Sequence, residues 1–320
     1  MINCGSYSQI KHMKISIILP FYNEAETIGL TLNNLQNQTL QADEIIFVDS
    51  GSTDNSVETI NKYIIRSGYK NIRLLDSGKM SPSSSVNVGI KAAKNNMVMY
   101  MDCGLEIPSK WIESQANLYE IKKPDIVSGK IYTYGVNNID KCFIAHTYGY
   151  KNKCVCLTGS LFNKSLMKKY GFFIENSRAG YDVGFINILK KNKCVRCINE
   201  NVYLKYYGTN YANNILNGFK KVYLYSQSAW KAYGDKKPAI YFGFFFLMII
   251  ALLVNQFFLW FGIYIFIRGI VLPFLKSKEI LKMNKIKIIT LLPFIGIIFD
   301  IARFSGYIKG YFISKLNTVL

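Results

Sequence analysis

The chain has 320 residues, half of them apolar, with 39 Lys and Arg against 20 Asp and Glu for a formal charge of +19. That length and apolar share can bury a substantial core, which excludes a disordered chain and a small disulfide-stapled scaffold. The charge favours anionic partners (nucleic acid, an acidic lipid surface or a phosphorylated substrate) without choosing among them.

Residues 1–13, MINCGSYSQIKHM, contain no apolar core of signal-peptide length, so no secretory cleavage is expected and the amino-terminal part stays in the cytoplasm. The seven cysteines are an odd number with no regular framework, which fits reduced thiols. Cys154 with Cys156, and Cys194 with Cys197, resemble metal-binding fragments. Zinc needs four well-spaced ligands and the histidines are only His12 and His146, so buried or incidental thiols are the simpler reading.

From residue 14 to 237 the pattern is that of an α/β unit. KISIILPFYN is a β-branched apolar run, and Thr27, Ile28, Leu32 and Leu35 follow at helical spacing within Glu24–Leu35. DEIIFVDSGSTDNS repeats this with a strand over Glu44–Val48, a turn over Asp49–Asp54 and a helix over Asn55–Arg66. A strand over Asn71–Leu75, a helix near Ser84–Lys94 and a strand over Met97–Met101 complete the alternation. Such an order predicts a mostly parallel sheet whose ligands bind at the carboxyl ends of the strands, where Asn23, Asp49, Ser50 and Asp102 all fall.

After Pro238 the composition changes. Residues 239–275 are almost uncharged over a length that suits two bilayer crossings of about 18 residues each, with Asn255 and Gln256 at the reversal. A soluble core helix would show a polar face, and this run shows none. The loop 276–287 is basic, which places it on the cytoplasmic side together with the amino-terminal domain. A third apolar stretch, Ile288–Phe299, leads into DIARFSGYIKGYFISK, whose charges and glycines suit a helix lying in the interface or packed on the first pair, over 288–316.

PFYNE after the first strand and VDSGSTDNS after the second, followed by SSVNVGIKAA, MDCGLEIP, TGSLFNKSLMKKYGFF and AGYDVGFINILKK, resemble the inverting family 2 glycosyltransferases over roughly residues 14 to 240. The resemblance implies a GT-A fold, Rossmann-like with a mostly parallel sheet, and a nucleotide diphosphate sugar as donor. It implies that Pro20, Tyr22 and Glu24 line the base and ribose and that Asp49, with Ser50 beside it, contacts the nucleobase. Asp49 also suits a turn or cap, and Asp54 is read as the N-cap of the next helix. Asp102 matches the first aspartate of the family's metal motif, while Gly104 stands where the second carboxylate belongs, which puts a Mg²⁺ or Mn²⁺ cofactor in doubt. Glu106 is a stand-in ligand on this reading, and Lys79 or Lys205 an alternative that offsets diphosphate charge directly. Asp102 is expected to contact the nucleotide ribose or a loosely held ion.

RAGYDVGF resembles the helix start that carries the family's catalytic base, with Tyr181 in place of the usual Glu and Asp182 retained as the residue that takes the acceptor proton. Thr158, Gly159 and Ser160 match the small-residue loop beside the donor sugar, although they also make a plain turn. Trp111 reads as core or acceptor platform. Tyr225–Lys237, with Gln227, Trp230, Lys231, Lys236 and Lys237, reads as an amphipathic interfacial helix. The function expected is sugar transfer to a polyprenyl-linked or other cell-surface glycan at the plasma membrane, with no nucleic-acid partner and homo-oligomerisation left open. Two other readings are a polyprenyl phosphate acceptor, giving a lipid-linked monosaccharide, and a nucleotide-binding domain without turnover.

Overall fold

The computed structural model describes residues 13–68, 70–149, 153–207, 214–228, 236–277 and 285–316. Cys4, His12, Trp230, Lys231 and most of the basic loop lie outside the described residues. The first half alternates as its pattern predicts: β1 (Ile15–Phe21), α1 (Ile28–Gln36), β2 (Glu44–Asp49), α2 (Ser56–Ser67), β3 (Ile72–Asp76), α3 (Pro82–Ala92) and β4 (Met97–Tyr100). Strands β1 to β4 pair in parallel, in register from Ser16 opposite Glu44 to Phe21 opposite Asp49, and Asp49 lies opposite Asp76. Parallel strands of Ile, Val and Leu must be covered on both faces. One face packs under α1 and α2 through Ile28, Leu32 and Ile60, and the other under α3 through Val86 and Ile90.

The second half widens the sheet. It comprises β5 (Leu105–Glu106), α4 (Trp111–Lys122), β6 (Ile126–Thr133), α5 (Asn138–His146), β7 (Lys153–Asn163), α6 (Ser165–Tyr170), α7 (Tyr181–Lys191), β8 (Arg196–Ile198), β9 (Leu204–Tyr206) and α8 (Ile215–Ser228). The strand order is β3-β2-β1-β4-β7-β6-β9-β5, with β8 beside β6 and β7 antiparallel to both neighbours. Trp111 belongs to the core: it is 1% exposed and its indole N–H donates to the Gly159 carbonyl, so it is no acceptor platform. Thr158, Gly159 and Ser160 form no loop. They lie within β7, at a register shift against Val127 and Gly129.

Beyond the sheet come α9 (Lys237–Leu253), α10 (Phe257–Phe266), a π-helical turn over Ile267–Val271, α11 (Leu272–Lys276) and α12 (Lys285–Leu316). The helix α10 buries none of its side chains, and Phe246, Leu252, Leu253, Phe258 and Phe266 stand more than half exposed. An apolar surface of this extent is the kind that a membrane or a partner covers. Two helical stretches, Phe257–Lys276 and Ile286–Ser314, are long and apolar enough to cross a membrane. The third apolar stretch and the charged segment after it form one helix, α12, in which Asp300 pairs with Arg303 and with Arg268.

Asp300 is the centre of this pairing. Arg268 grips it with two N–H groups at 2.7 and 2.9 Å, Arg303 adds a third at 2.7 Å, and the hydroxyls of Tyr241 and Tyr264 donate at 2.8 and 2.9 Å. Arg268 also donates to Nδ1 of His146 at 2.6 Å, which leaves the proton on Nε2 to bond the Leu292 carbonyl at 2.7 Å. Burial and the neighbouring Arg268 guanidinium push His146 down to about 3, so the ring is neutral. The hub thus joins α5 of the sheet domain to α9, α10, the π-turn and α12. Around it Phe143 and Val222 pack on Ile288, Leu292, Ile295 and Phe299, and α12 approaches α8 so closely that a Cβ at Gly306 would stand 2.5 Å from the Tyr223 carbonyl oxygen.

Removing the carboxylate strands two buried guanidinium groups, so Asp300→Asn is expected to cost about 3 kcal/mol of stability. Thermal unfolding of the protein in detergent checks this, and an unchanged midpoint would show that the arginines find other partners.

Candidate active site

The two loops that follow β1 and β2 are bonded to one another. The Asn23 N–H donates to Ser52 Oγ (3.0 Å), and its side-chain oxygen accepts from the Thr53 N–H (2.8 Å). The Glu24 N–H donates to Ser56 Oγ (2.8 Å) and the Ala25 N–H to Asp54 (2.9 Å). Asn23 adopts a left-handed φ of 54° in this clasp, a conformation Asn tolerates. Asp49 is buried and both its oxygens face the Ser52 N–H, at 3.0 and 3.2 Å, so it shapes the turn as well as closing the strand end. Asp54 caps α2 from one residue before the N-cap position, held by Asn55, by accepting from the Ser56 N–H at 3.0 Å.

Around this clasp the sequence-predicted residues divide. Tyr22 is half exposed, and Lys79 is exposed on the β3–α3 loop, its backbone 3.3 Å from where a Cβ would sit on Gly51. Pro20 pairs with Val48 within the sheet. Ser50 is turned inward, its hydroxyl 2.8 Å from that of Ser85, and serves the fold. Burial raises the Glu24 carboxyl, and the nearby Asp102 and Asp54 add to the rise, while a short bond from Thr27 opposes it.

Asp102 sits at the exit of β4 with both oxygens engaged. Tyr100 donates its hydroxyl to Oδ1 at 2.7 Å, and Thr158 donates to Oδ2 at 2.7 Å. With the Tyr100 proton committed to Asp102, the Tyr181 hydroxyl 2.9 Å away donates to Tyr100. Tyr181 therefore faces Asp102, in a chain of hydroxyls that ends on the carboxylate. Gly159 and Ser160 do not line the cavity. Gly159 has a φ of 80° and lies so close to Leu204 that a Cβ would clash, and Ser160 is fully buried, bonded to Gly129 and Cys156. Of that triplet only Thr158 reaches the cavity.

A metal held by Asp102 can be tested against its surroundings. Gly104 has a φ of 75°, and a Cβ there would stand 3.2 Å from Thr27, so the backbone itself disfavours a second carboxylate. Glu106 is no substitute, because it pairs with Lys205 at 2.6 Å across β5 and β9, and the same pair withdraws Lys205 from a diphosphate. Among the described residues no three His, Cys, Asp or Glu groups converge to hold an ion. One carboxylate whose two oxygens already accept hydroxyls fits a resident divalent ion poorly.

Asp182 occupies the first turn of α7 behind Gly180, where the helix dipole favours a carboxylate. Burial raises it above the 3.8 of an ordinary aspartate, a backbone bond at Val183 opposes the rise, Asp102 adds to it, and Lys237 works against it. These residues open into one cavity of about 1100 Å³, which runs from Asp102, Thr158 and Asp182 to Val254 and Trp260 on the apolar helices. Lys221 on α8 is pushed well down, first by burial and then by Arg178, with Glu24 as the opposing charge. Sequence reasoning missed Tyr100, Arg178 and Lys221, and took Thr158 only as part of a small-residue loop. It also passed over Arg268, Asp300 and Arg303, although ionisable residues inside apolar runs are themselves a signal.

Gly104→Asp is expected to cost about 1–3 kcal/mol through the left-handed backbone and to confer no tight Mn²⁺ binding. Thermal unfolding with and without Mn²⁺ checks both; undiminished stability with a Mn²⁺-dependent rise in the midpoint would show that the motif is one residue short of a metal site.

The model of the family described as glycosyl transferase family 2 matches residues 16–182. The cholesterol galactosyltransferase of Borreliella burgdorferi is 34% identical over 38% of this chain and 33% of its own. The poly(ribitol-phosphate) beta-glucosyltransferase of Bacillus spizizenii is 32% identical over 49% of this chain and 26% of its own. The chain thus spans about a third or less of these curated relatives. The crystal structure of S. aureus TarS 1-349 matches at 20% identity with a TM-score of 0.48, covering 69% of this chain and 66% of that one, too distant a likeness to carry an argument. The match over residues 16–182, just over half of the chain and including every strand-end residue from Asn23 to Asp182, shows that the protein belongs to glycosyl transferase family 2.

Proposed function

We propose that the protein transfers a sugar, with inversion, from a nucleoside diphosphate sugar to a lipid-linked or other cell-envelope glycan. The cavity carries this reading: it places a raised carboxylate, Asp182, beside the Asp102 node and opens directly onto helices whose exposed side chains suit lipid. An acceptor already anchored in the bilayer reaches Asp182 at high effective concentration. The named activities of the relatives lend support, since they are galactosyl and glucosyl transfers whose acceptors are a lipid and a phosphate-containing polymer.

In this mechanism the nucleoside diphosphate lies over the clasp of the first two loops, with Tyr22 and Glu24 at its rim, Asp49 beneath and Lys79 at its edge. Asp102, fixed by Tyr100 and Thr158, orients the ribose. Asp182 takes the proton from the acceptor hydroxyl as the oxygen attacks C1 of the sugar; the bond from C1 to the diphosphate breaks on the opposite face, and the configuration inverts. Cationic side chains offset the charge of the departing diphosphate.

The topology follows from the same arrangement. Lys237 starts α9 and Lys276 ends α11, so both ends of the apolar hairpin lie on the side of the sheet domain. The packing of α5 and α8 on α12 supports an interfacial place for α12, and the basic sequence after Lys276 supports a cytoplasmic side for the domain by the positive-inside rule.

Because a general base acts deprotonated, kcat/KM is expected to fall as pH drops through the raised value of Asp182, above the ordinary aspartate range, where protonation relieves the burial cost of that carboxylate. Asp182→Asn is expected to lower kcat by about 10²-fold or more with nucleotide affinity retained. Transfer kinetics against pH, beside nucleotide titration of the variant, check this. Full activity in Asp182→Asn would assign the base elsewhere.

A further inference from the structure

The part of the sheet that lies beyond β7 carries four tyrosines in mutual contact. Side chains alternate along a strand, and Ile131 on β6 with Leu204 and Tyr206 on β9 turns into the core around Trp111 and Ile112 of α4. Lys130, Tyr132 and Tyr134 along β6, and Tyr203, Lys205 and Tyr207 along β9, therefore share the opposite face, with Tyr132 set beside Lys205 by the parallel register. On that face α7 covers the start of β6, where Ile126 packs with Phe162 and Phe185, and the tyrosines follow further along the strand. The rings of Tyr132 and Tyr203 meet edge to face with centroids 4.6 Å apart, and those of Tyr134 and Tyr207 stack at 4.9 Å. Tyr132 lies 6.2 Å from Tyr134, which joins the two pairs into one surface. Tyr207 is 43% exposed and the other three are partly exposed. A solvated sheet face ordinarily carries small polar and charged side chains, so a pavement of phenols calls for a ligand.

We infer that this face is a platform for the sugar rings of an oligosaccharide acceptor, those behind the ring that offers its hydroxyl to Asp182. The chemistry of the face selects the ligand. A pyranose ring presents a face of C–H bonds and a rim of hydroxyls, and a tyrosine presents an apolar ring with a polar tip, so the two match on both counts. Tyrosine makes such contacts at low entropic cost, because few side-chain torsions are fixed. A nucleic-acid strand also stacks on aromatic rings, but it needs cations for its phosphates. Among the described side chains of this face both cations are already taken up, Lys205 by Glu106 at 2.6 Å and Lys130 by Glu200. Position supports the same occupant. β6 runs antiparallel to β7 and β7 antiparallel to β4, so Tyr134 and Tyr207 stand at the edge of the sheet that carries Asp102. β7, the strand between, supplies the Thr158 hydroxyl that bonds Asp102, which makes the platform continuous with the candidate active site. This assignment rests on the transferase reading above and adds to it that the acceptor already carries several sugar units when it binds.

The test applies the full chain in detergent to an array of neutral oligosaccharides, from mono- to hexasaccharide, with single-stranded RNA and a polyol-phosphate oligomer as anionic probes. The wild type is compared with Tyr134→Ala/Tyr207→Ala and with Tyr134→Phe/Tyr207→Phe, and UDP and GDP are titrated in parallel. The wild type is expected to retain neutral oligosaccharides, more tightly as they lengthen. The alanine variant is expected to lose about tenfold or more of that affinity, as for two aromatic contacts removed, and the phenylalanine variant to keep most of it, because the ring carries the contact. All three are expected to bind the nucleoside diphosphates alike. Should the double alanine variant fail to fold, Tyr207→Ala alone, at the most exposed of the four rings, is expected to show the same direction. The assignment is overturned if the wild type retains no neutral oligosaccharide, if the alanine substitutions leave retention unchanged, or if RNA or the polyol phosphate binds in preference. Transfer to a lipid monophosphate that does not depend on Tyr134 or Tyr207 would remove the platform and leave the transferase standing. Length-dependent glycan binding without transfer from any donor would do the reverse.

Discussion

A single carboxylate shared by two guanidinium groups governs how the two parts of this molecule meet. Asp300 lies within an apolar helix where an isolated charge would cost several kcal/mol, and it is tolerated because Arg268, Arg303, Tyr241 and Tyr264 satisfy it. Satisfying it draws the π-helical turn, α9 and α12 together, and the bond from Arg268 to His146 fastens that bundle to α5. The cavity beside Asp182 exists because those helices are held at this seam. A core of Leu and Phe alone would associate in lipid without a defined register.

A similar solution recurs at Asp102. There a carboxylate that resembles half of a metal motif is fixed by hydroxyls from Tyr100 and Thr158, with Tyr181 behind them. Gly104 and Tyr181, which read as losses when set against the family pattern, are consistent with their surroundings. The glycine relieves a left-handed backbone beside Thr27, and the tyrosine completes the hydroxyl chain.

Much of the fold was legible because it follows from local pattern. The apolar runs at Ile15, Glu44 and Met97, broken by turn residues and helical periodicity, admit little besides a parallel sheet; β2, β3 and β4 lie within one residue of their expected bounds, whereas α1 begins at Ile28, four residues after the expected Glu24. The positions of Asp49 and Asp102 at strand ends and of Asp182 at a helix start were legible because such ends are tied to sequence position. Gly159 and Ser160 were misread since small residues signal a turn and a β-bulge alike, and only pairing with β6 separates the two. Glu106 and Lys205 stood as alternative ligands for want of knowing that β5 and β9 pair. Tyr100 carries no signal of its own, and Thr158 was legible only as a member of a small-residue motif: what a hydroxyl on a strand bonds to depends on what folding sets opposite it.

The most direct measurement incubates the detergent-purified protein with a panel of labelled nucleoside diphosphate sugars and a lipid extract, partitions the products between organic and aqueous phases, and determines the anomeric configuration of the transferred sugar. The account predicts label from one donor in the organic phase, with inverted configuration. Label confined to free sugar and nucleotide in water would contradict a lipid acceptor. Tight nucleotide binding with no turnover of any donor would contradict catalysis itself.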